Sequence, residues 1–228
     1  MDFHSTDQRC REDRRRTGNL PVISGDDASF APLCATPLRR LGEPYGHIDL
    51  RPCPLVRYVL TLAIINFVRE QGMPIVWTQS DHSAPFGGVM LKKFPTIQED
   101  KYLWKDQPSF ELYDQMLQPK EGEYRVVKHK YDAFFETDLD SILRNNRIKT
   151  IIIVGTATNV CCESTARSGF FRDYQVAFPS DCNASFDEGM HQASLKTIDM
   201  FFGRVMTSEE LLDEMRNDLG RNDRVAAE

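Results

Sequence analysis

From residue 54 onward, short apolar runs alternate with segments of helical period, and this alternation is what most constrains the fold. Strands are predicted at 73–78, 124–128, 150–154, 175–178 and 204–207. Helices are predicted at 55–71, 139–145, 159–171, 188–201 and from Ser208 onward. Strands and helices that alternate at this spacing form a parallel sheet with both faces covered. We therefore predict an α/β protein, a three-layer α/β/α fold with a mostly parallel, Rossmann-like sheet.

One strand–helix junction carries a candidate nucleophile. The apolar run 150–154 is followed by Gly155-Thr156-Ala157-Thr158-Asn159-Val160-Cys161-Cys162 and then by a helical segment. A thiol at the start of a helix lies near unpaired backbone N–H groups and the positive end of the helix dipole, which favour a thiolate. The alternative is a buried cysteine on a core helix. The strand, the turn and the helix start all favour the reactive site at Cys161, and Cys162 is predicted to lie in the core.

Lys128 is the second candidate, because it ends the strand predicted at 124–128. Catalytic groups of such sheets lie at the carboxyl ends of the strands, where Cys161 is also expected. The segment 83–119 between two strands contains several Gly and Pro residues and no clear period, so we predict a long lid loop with a short helix at 109–116. Four aromatic side chains are candidates for the walls of a substrate pocket: Trp77, Trp104, Phe134 and Phe135.

Composition excludes several function classes. The chain has 228 residues and a net charge of −6, which gives no argument for binding nucleic acid. No apolar run approaches the roughly 20 residues that span a membrane, and the N-terminus has no signal-peptide pattern. The six cysteines lack metal-type spacing, and adjacent cysteines do not readily bridge each other. We predict reduced thiols and a cytoplasmic protein.

Three stretches resemble the isochorismatase-like cysteine hydrolase family, in its amidohydrolase branch. They are Gly155 to Cys161 with the following Thr165-Ala166-Arg167, Lys128 with Asp132-Ala133-Phe134 and Thr137-Asp138-Leu139, and Asp181-Cys182-Asn183-Ala184 with His191 and Phe202-Gly203-Arg204-Val205. The resemblance covers roughly residues 54–217. Residues 1–53 are predicted to be irregular, disordered or misannotated, and 218–228 to be a polar tail.

The resemblance implies roles for individual residues. Cys161 is implied to attack a carbonyl carbon and form a thioester that water hydrolyses, while Lys128 stabilises the thiolate. The backbone N–H groups of Ala157 and Cys161 are implied to form the oxyanion hole. A cis peptide bond between Thr156 and Ala157 is also implied. The resemblance further implies a small-molecule substrate, no cofactor, and a homo-oligomer.

The acid–base aspartate of the family is absent from its expected place. In the family it ends the first strand, whereas this chain opens Met1-Asp2-Phe3, like the tail of that motif. We therefore expect the first central strand and its aspartate to be missing, with the coding sequence misassigned before residue 55. Such a chain would be poorly stable. The alternative is that Asp26, Asp27 or Asp49 replaces the missing residue.

The sequence does not predict a metal site. Nicotinamidases of the family hold zinc with an Asp-x-His pattern after the second strand, whereas here Asp81 and His82 are adjacent, with no second histidine in the loop. The leading hypothesis is a hydrolase of a small amide or ureido C–N bond. The alternatives are a catalytically inactive family member that acts as a binding or oligomer partner, and an enol-ether hydrolase of the isochorismate type.

Overall fold

The computed structural model describes residues 30–35, 54–83, 85–110 and 119–225. Residues 29–215 form one compact unit, and residues 216–225 belong to a second. The strands are β1 (Phe30–Ala35), β2 (Val76–Ser80), β3 (Tyr124–Lys128), β4 (Thr150–Thr156), β5 (Gln175–Pro179), β6 (Asn183–Ala184) and β7 (Arg204–Met206). The helices are α1 (Pro54–Glu70), α2 (Val89–Lys93), α3 (Pro95–Glu99), α4 (Leu139–Asn145), α5 (Glu163–Phe170), α6 (Glu188–Phe201) and α7 (Ser208–Val225).

The described strands form a parallel sheet, as predicted. Their order is β3-β2-β1-β4-β5-β7, with β6 paired to the end of β4, and each of these pairs is parallel. The chain runs outward from β1 to β2 and β3, then returns to place β4 on the other side of β1. The order of the strands therefore reverses between β1 and β4. In open α/β sheets this is the point at which ligands bind, beyond the carboxyl ends of the strands.

Strand β1 corrects the prediction that the first central strand is missing. Residues 30–35 lie between β2 and β4, with Leu33 opposite Val76 and Phe30 opposite Thr150. The strand is short and contains Pro32, which cannot donate a backbone hydrogen bond and argues against a central strand when a sequence is read alone. Its parallel neighbours on both sides supply the register that the local sequence does not. The strand contains no carboxylate.

The core lies between the sheet and the helices that follow β3, β4 and β5. Its buried members include Val126, Ile151, Ile153, Val176 and Phe178 from the strands, and Leu139, Leu143, Ala166, Leu195 and Ile198 from the helices. The alternating apolar runs and helical stripes of the sequence therefore meet in one cluster. This packing fixes where β3 and β4 end, and those ends carry Lys128 and the turn that contains Cys161.

Glu123 ties α1 to the start of β3. Its carboxylate accepts hydrogen bonds from Arg69 Nε at 2.6 Å, Trp77 Nε1 at 2.7 Å and the Lys120 N–H at 2.9 Å. Trp77, a candidate for the pocket wall, is therefore buried in the structure, and its indole N–H has a partner inside the protein. Burial raises the pKa of Glu123, but the hydrogen bonds from Arg69, Lys120 and Trp77 outweigh it and lower the pKa overall.

Replacing Glu123 with alanine is expected to lower the free energy of unfolding by about 3 kcal/mol, because it leaves a buried indole N–H and a partly buried guanidinium without their acceptor. Urea unfolding followed by circular dichroism measures this change. The exposed Glu121, two residues earlier, is the matched control, and Glu121→Ala should unfold like the wild type. Equal unfolding midpoints for the two variants would contradict the assigned role of Glu123.

Candidate active site

The predicted site residues lie at the carboxyl ends of strands β3 and β4, on the same edge of the sheet. Lys128 ends β3, opposite Ser80 at the end of β2, and Asp81 and His82 follow directly. The turn that contains Cys161 follows β4, next to the reversal of strand order. All of these residues belong to the compact unit 29–215. The sheet thus brings the ends of β2, β3 and β4 to the position at which this fold class binds small molecules.

The turn after β4 has two unusual backbone features, a cis peptide bond and a π-helical turn. The Thr156–Ala157 peptide is cis, which confirms the expectation drawn from the resemblance. Residues Thr158–Cys162 form a single π-helical turn before α5 begins, so the helix predicted from 159 has two parts. The Ala157 carbonyl accepts the N–H groups of Val160 at 3.1 Å and Cys162 at 3.2 Å. Such π turns are frequent at functional sites.

The two adjacent cysteines occupy different environments. Cys161 is partly exposed, whereas Cys162 is fully buried in the core cluster. This confirms the prediction that Cys162 is a core residue. Burial raises the pKa of the Cys162 thiol well above its ordinary value, so it stays protonated at neutral pH. Of the two, only Cys161 is partly accessible to solvent.

Lys128 is a buried cation, with 1% of its surface exposed. Its Nζ donates to the backbone carbonyl oxygens of Lys130 at 3.2 Å and Tyr131 at 3.0 Å. Within the described ranges no carboxylate accepts a hydrogen bond from it. Its positive charge acts on both Cys162 and His82, which places the ammonium near both side chains. A buried charge is costly unless it is paired, and no described carboxylate pairs with this ammonium.

A side-chain bridge fixes the Lys128 loop against the Cys161 turn. The hydroxyl of Thr165 donates to the Cys161 carbonyl at 2.8 Å and accepts the Ala133 N–H at 3.1 Å. Asp132 caps the loop by accepting the Phe134 N–H at 2.8 Å, and it also accepts a hydrogen bond from the Ser168 hydroxyl. These contacts give a structural role to two segments that sequence analysis singled out, Asp132-Ala133-Phe134 and Thr165-Ala166.

Asp81 and His129 fix the start of the lid through hydrogen bonds and a ring contact. The Asp81 carboxylate accepts the N–H groups of Ser83 at 3.0 Å and Lys105 at 3.3 Å. His129 Nδ1 lies 2.8 Å from the Asp81 carbonyl oxygen, and its ring stacks on Phe86 with centroids 3.7 Å apart. The Asp81 carboxylate is therefore occupied by the lid backbone and is not paired with Lys128.

His82 is a buried histidine that sequence analysis considered only as a metal ligand. It is 5% exposed, and its Nδ1 is buried without a hydrogen-bond partner in the described part of the chain. Burial, reinforced by the charge of Lys128, lowers the pKa of His82 to about 4. The imidazole is therefore neutral at physiological pH. A single histidine in a loop gives no sequence signal for this environment.

This shift in the pKa of His82 predicts a pH-dependent stability. Between pH 6.5 and pH 4 the unfolded chain binds a proton at this side chain that the folded chain does not, so acidification favours unfolding. The contribution is fully present above pH 6.5 and is lost as the pH falls to about 4, on the order of 3 kcal/mol. We expect His82→Asn to flatten the pH dependence of urea unfolding between pH 7 and pH 4. Parallel curves for variant and wild type would contradict the shift.

Among the described residues, Asp81 and His82 are not joined by the further ligand that a zinc site needs. Within ranges 30–35, 54–83, 85–110 and 119–225, no group of three or more His, Cys, Asp or Glu side chains could hold a metal ion. The hydrogen bonds that the Asp81 carboxylate accepts from the lid leave it poorly placed for coordination. Asp26, Asp27 and Asp49 lie outside the described residues, as do residues 111–118, which include most of the lid helix predicted at 109–116. None of the described helices is long and apolar enough to span a membrane.

The aromatic candidates divide between core and surface. Phe134 lies in the core cluster, where its ring stacks on Tyr174. Trp104 lies in the lid with a buried indole N–H that has no partner in the described residues, and Phe135 is 46% exposed. Phe134 is therefore a packing residue, like Trp77. Trp104 and Phe135 remain candidates for ligand contact.

Comparison with known proteins gives a consistent result. A family model described as the isochorismatase domain matches residues 61–210. The ureidoacrylate amidohydrolase RutB of Acinetobacter baylyi (strain ATCC 33305 / BD413 / ADP1) is 41% identical over 128 residues, or 56% of this chain and 51% of that protein. The chain therefore spans about half the length of the curated relative it matches.

Solved structures extend the comparison to the fold. A cysteine hydrolase from Pseudomonas syringae pv. phaseolicola 1448A superposes with a TM-score of 0.73 at 27% identity, covering 83% of this chain and 93% of that one. The N-carbamoylsarcosine amidase of Thermoplasma acidophilum superposes with a TM-score of 0.62 at 22% identity, covering 79% and 96%. At that identity the second likeness concerns the fold alone.

Proposed function

Because the chain belongs to the isochorismatase family, whose domain covers residues 61–210, we propose that it is a cysteine-dependent hydrolase of a small amide or ureido C–N bond. The observation that carries the proposal is the pair of Cys161 and Lys128. A partly exposed thiol and a buried ammonium share one edge of the sheet, and no described carboxylate neutralises the ammonium. This pair supports a thiolate nucleophile at Cys161 that is stabilised by a cation shielded from solvent.

The first step would be attack of the Cys161 sulfur on the carbonyl carbon of the substrate. A thiolate is a far better nucleophile than a thiol, and a nearby cation stabilises it. Lys128 supplies that cation from a position shielded from solvent, where the interaction is stronger than in water. The bridge through Thr165 holds the two motifs in register, so the ammonium and the turn that carries the sulfur keep a fixed geometry.

The second element would be stabilisation of the oxyanion by backbone N–H groups. The family resemblance assigns this role to Ala157, which directly precedes the π turn, and to Cys161, which lies within it. The turn is closed by the hydrogen bonds that Val160 and Cys162 donate to the Ala157 carbonyl. A rigid turn suits this role because donors that are already oriented need no reorganisation when charge develops.

Release of the amine would leave an acyl group on sulfur, a thioester for an amide substrate or a thiocarbamate for a ureido substrate. Water then hydrolyses this intermediate and restores the thiol. The relative RutB is named for amide hydrolysis of ureidoacrylate, which supports a ureido or carbamoyl compound as the substrate class. Attack by sulfur at a C–N bond uses both Cys161 and Lys128, whereas cleavage of an enol ether does not need the thiol.

The test combines a substrate panel with direct detection of the intermediate. The purified full chain is incubated with ureidoacrylate, N-carbamoyl amino acids, simple primary amides and isochorismate, and release of ammonia or pyruvate is followed. We expect turnover of a ureido or amide compound, and mass spectrometry of acid-quenched enzyme should find an acyl adduct on the peptide that contains Cys161. Turnover of isochorismate alone, or no turnover and no adduct, would refute the proposal.

A further inference from the structure

The turn that carries Cys161 takes support from elements outside it. The turn Thr158–Cys162 begins after Ala157, and within the described chain no side chain caps its start or the start of α5. Side-chain caps commonly fix the start of a helix, so a turn without one depends on what packs against it. Strand β6 pairs with the last two residues of β4, and α6 is the next helix along the chain.

Two side chains on one face of α6 reach the turn and the helix after it. His191 Nδ1 lies 2.8 Å from Thr158 Oγ1, within hydrogen-bond distance. Ser194, one turn further along α6, donates from its hydroxyl to the Glu163 carboxylate at the start of α5. Residues three apart lie on the same face of a helix. This face of α6 therefore contacts both the nucleophile turn and the helix that continues it.

The bond between His191 and Thr158 is buried on both sides. His191 is 4% exposed and Thr158 is fully buried, whereas Glu163 is partly exposed. A hydrogen bond inside a protein is stronger than in water, and removing one partner leaves the other unsatisfied. Thr158 is β-branched, so a contact that holds its hydroxyl also restricts the rotation of its side chain. The pair therefore fixes the first residue of the turn against α6.

We propose that His191 is a positioning residue for hydrolysis at Cys161 and that it acts through Thr158. The inference rests on the proposed function, in which the N–H groups of Ala157 and Cys161 bind the oxyanion. Thr158 directly follows the first of these donors and lies three residues before the second. A displacement of about 1 Å in such a site costs about a hundredfold in rate. A fixed Thr158 keeps both donors aimed at the same point.

The alignment of these donors matters most when charge develops on the substrate oxygen. The carbonyl oxygen of the bound substrate carries little charge, whereas the oxygen of the tetrahedral intermediate carries a full negative charge. Loss of the bond should therefore lower kcat and leave KM nearly unchanged. A contact that served only the fold would lower stability and leave the kcat of the folded molecules unchanged.

The test is a double-variant cycle on the pair, in which turnover of the best substrate from the panel and a thermal melt are measured for each variant. His191→Leu and Thr158→Val each remove one partner, and the double variant removes both. We expect each single variant to lose about tenfold to a hundredfold in kcat and to melt at a lower temperature. The double variant should melt closer to the wild type, because two apolar side chains leave no polar atom unpaired. Its kcat should stay as low as those of the single variants.

His191→Asn and His191→Gln form a matched pair of conservative variants. The asparagine amide can reach the position of Nδ1, whereas the glutamine amide reaches the position of Nε2. Because Nδ1 makes the contact with Thr158, His191→Asn should recover much of the kcat that His191→Leu loses, and His191→Gln should not. Gln192→Ala is the control on the same helix, since Gln192 is exposed and its amide donates to Glu188 at 2.8 Å. It should leave both kcat and the melt unchanged.

Four outcomes would count against the assignment. If the folded single variants have the kcat of the wild type, or if the double variant regains activity together with stability, His191 serves only the fold and the cysteine mechanism stands. If the two single losses in kcat multiply in the double variant, His191 does not act through Thr158. Should His191→Leu fail to fold, the isosteric Thr158→Val decides by the same criterion. If the wild type forms no Cys161 adduct and turns over nothing, the proposed function fails and this assignment fails with it.

Discussion

Cys161→Ala is expected to abolish hydrolysis, with a loss of about a thousandfold or more in kcat, because the variant has no atom that can form the acyl intermediate. The substitution is small and lies at a partly exposed position, so folding should be little affected. The measurement is turnover of the best substrate, together with mass spectrometry of quenched enzyme to confirm that no adduct forms.

Cys162→Ala provides an unusually close control for this variant. It removes the same atoms one residue away, but from a fully buried core position. It should therefore lower stability by about 1 kcal/mol and leave an active enzyme that still forms the adduct. If both alanine variants retain full turnover, the chain hydrolyses its substrate without a thiol. If the wild type itself is inactive and its Cys161 resists alkylation, the chain is a non-catalytic member of the family.

Lys128→Met is the second variant with a large expected effect, and it should move activity and stability in opposite directions. Methionine has a similar shape without the charge, so burying it avoids the cost of a cation that is 1% exposed and has no described counter-ion. The free energy of unfolding should stay the same or rise. Turnover should fall by a hundredfold or more, because the thiolate and the developing negative charge lose their nearby cation.

Alkylation by iodoacetamide at neutral pH separates these effects. Because the thiolate is the reacting species, Cys161 should react about tenfold more slowly in Lys128→Met than in the wild type. The matched control is Lys130→Met, whose ammonium instead binds the Phe86 carbonyl at 2.8 Å in the lid. A Lys128→Met variant that unfolds more easily, yet turns over substrate normally, would show that the lysine serves only to hold the carbonyl oxygens of Lys130 and Tyr131.

The fold was largely predictable because its elements repeat a simple pattern. Strand β3 and helices α4 and α6 have the predicted bounds, since each is an apolar run or a helical stripe with clear ends. Strand β1 was not predictable, because Pro32 and its short length hide a pairing that depends on β2 and β4. The lid helices α2 and α3 are five residues each, too short to show a period.

The candidate site, like the fold, was predictable from the sequence only in part. The sequence identified Cys161 and Lys128 through motifs, which record residue types at fixed spacing. It considered His82 only as a metal ligand and did not predict its burial, because burial and the lack of a described partner at Nδ1 depend on what surrounds the ring in three dimensions. Nor could it separate the π turn from the helix that follows, since five residues are too few to distinguish the two periods.

The π turn also determines whether the Cys162 thiol could replace the Cys161 thiol if Cys161 were lost. A substitution that removed the Cys161 thiol would leave the Cys162 thiol one residue away in the sequence. The wide turn at Thr158–Cys162 sets the rotation at which each sulfur leaves the backbone, and it directs one outward and the other into the core. Loss of a single codon between 158 and 160 would tighten the turn and change that rotation for both thiols at once. Cys162 therefore cannot simply replace Cys161, and the position of Cys161 depends on the length of the turn that begins after Ala157.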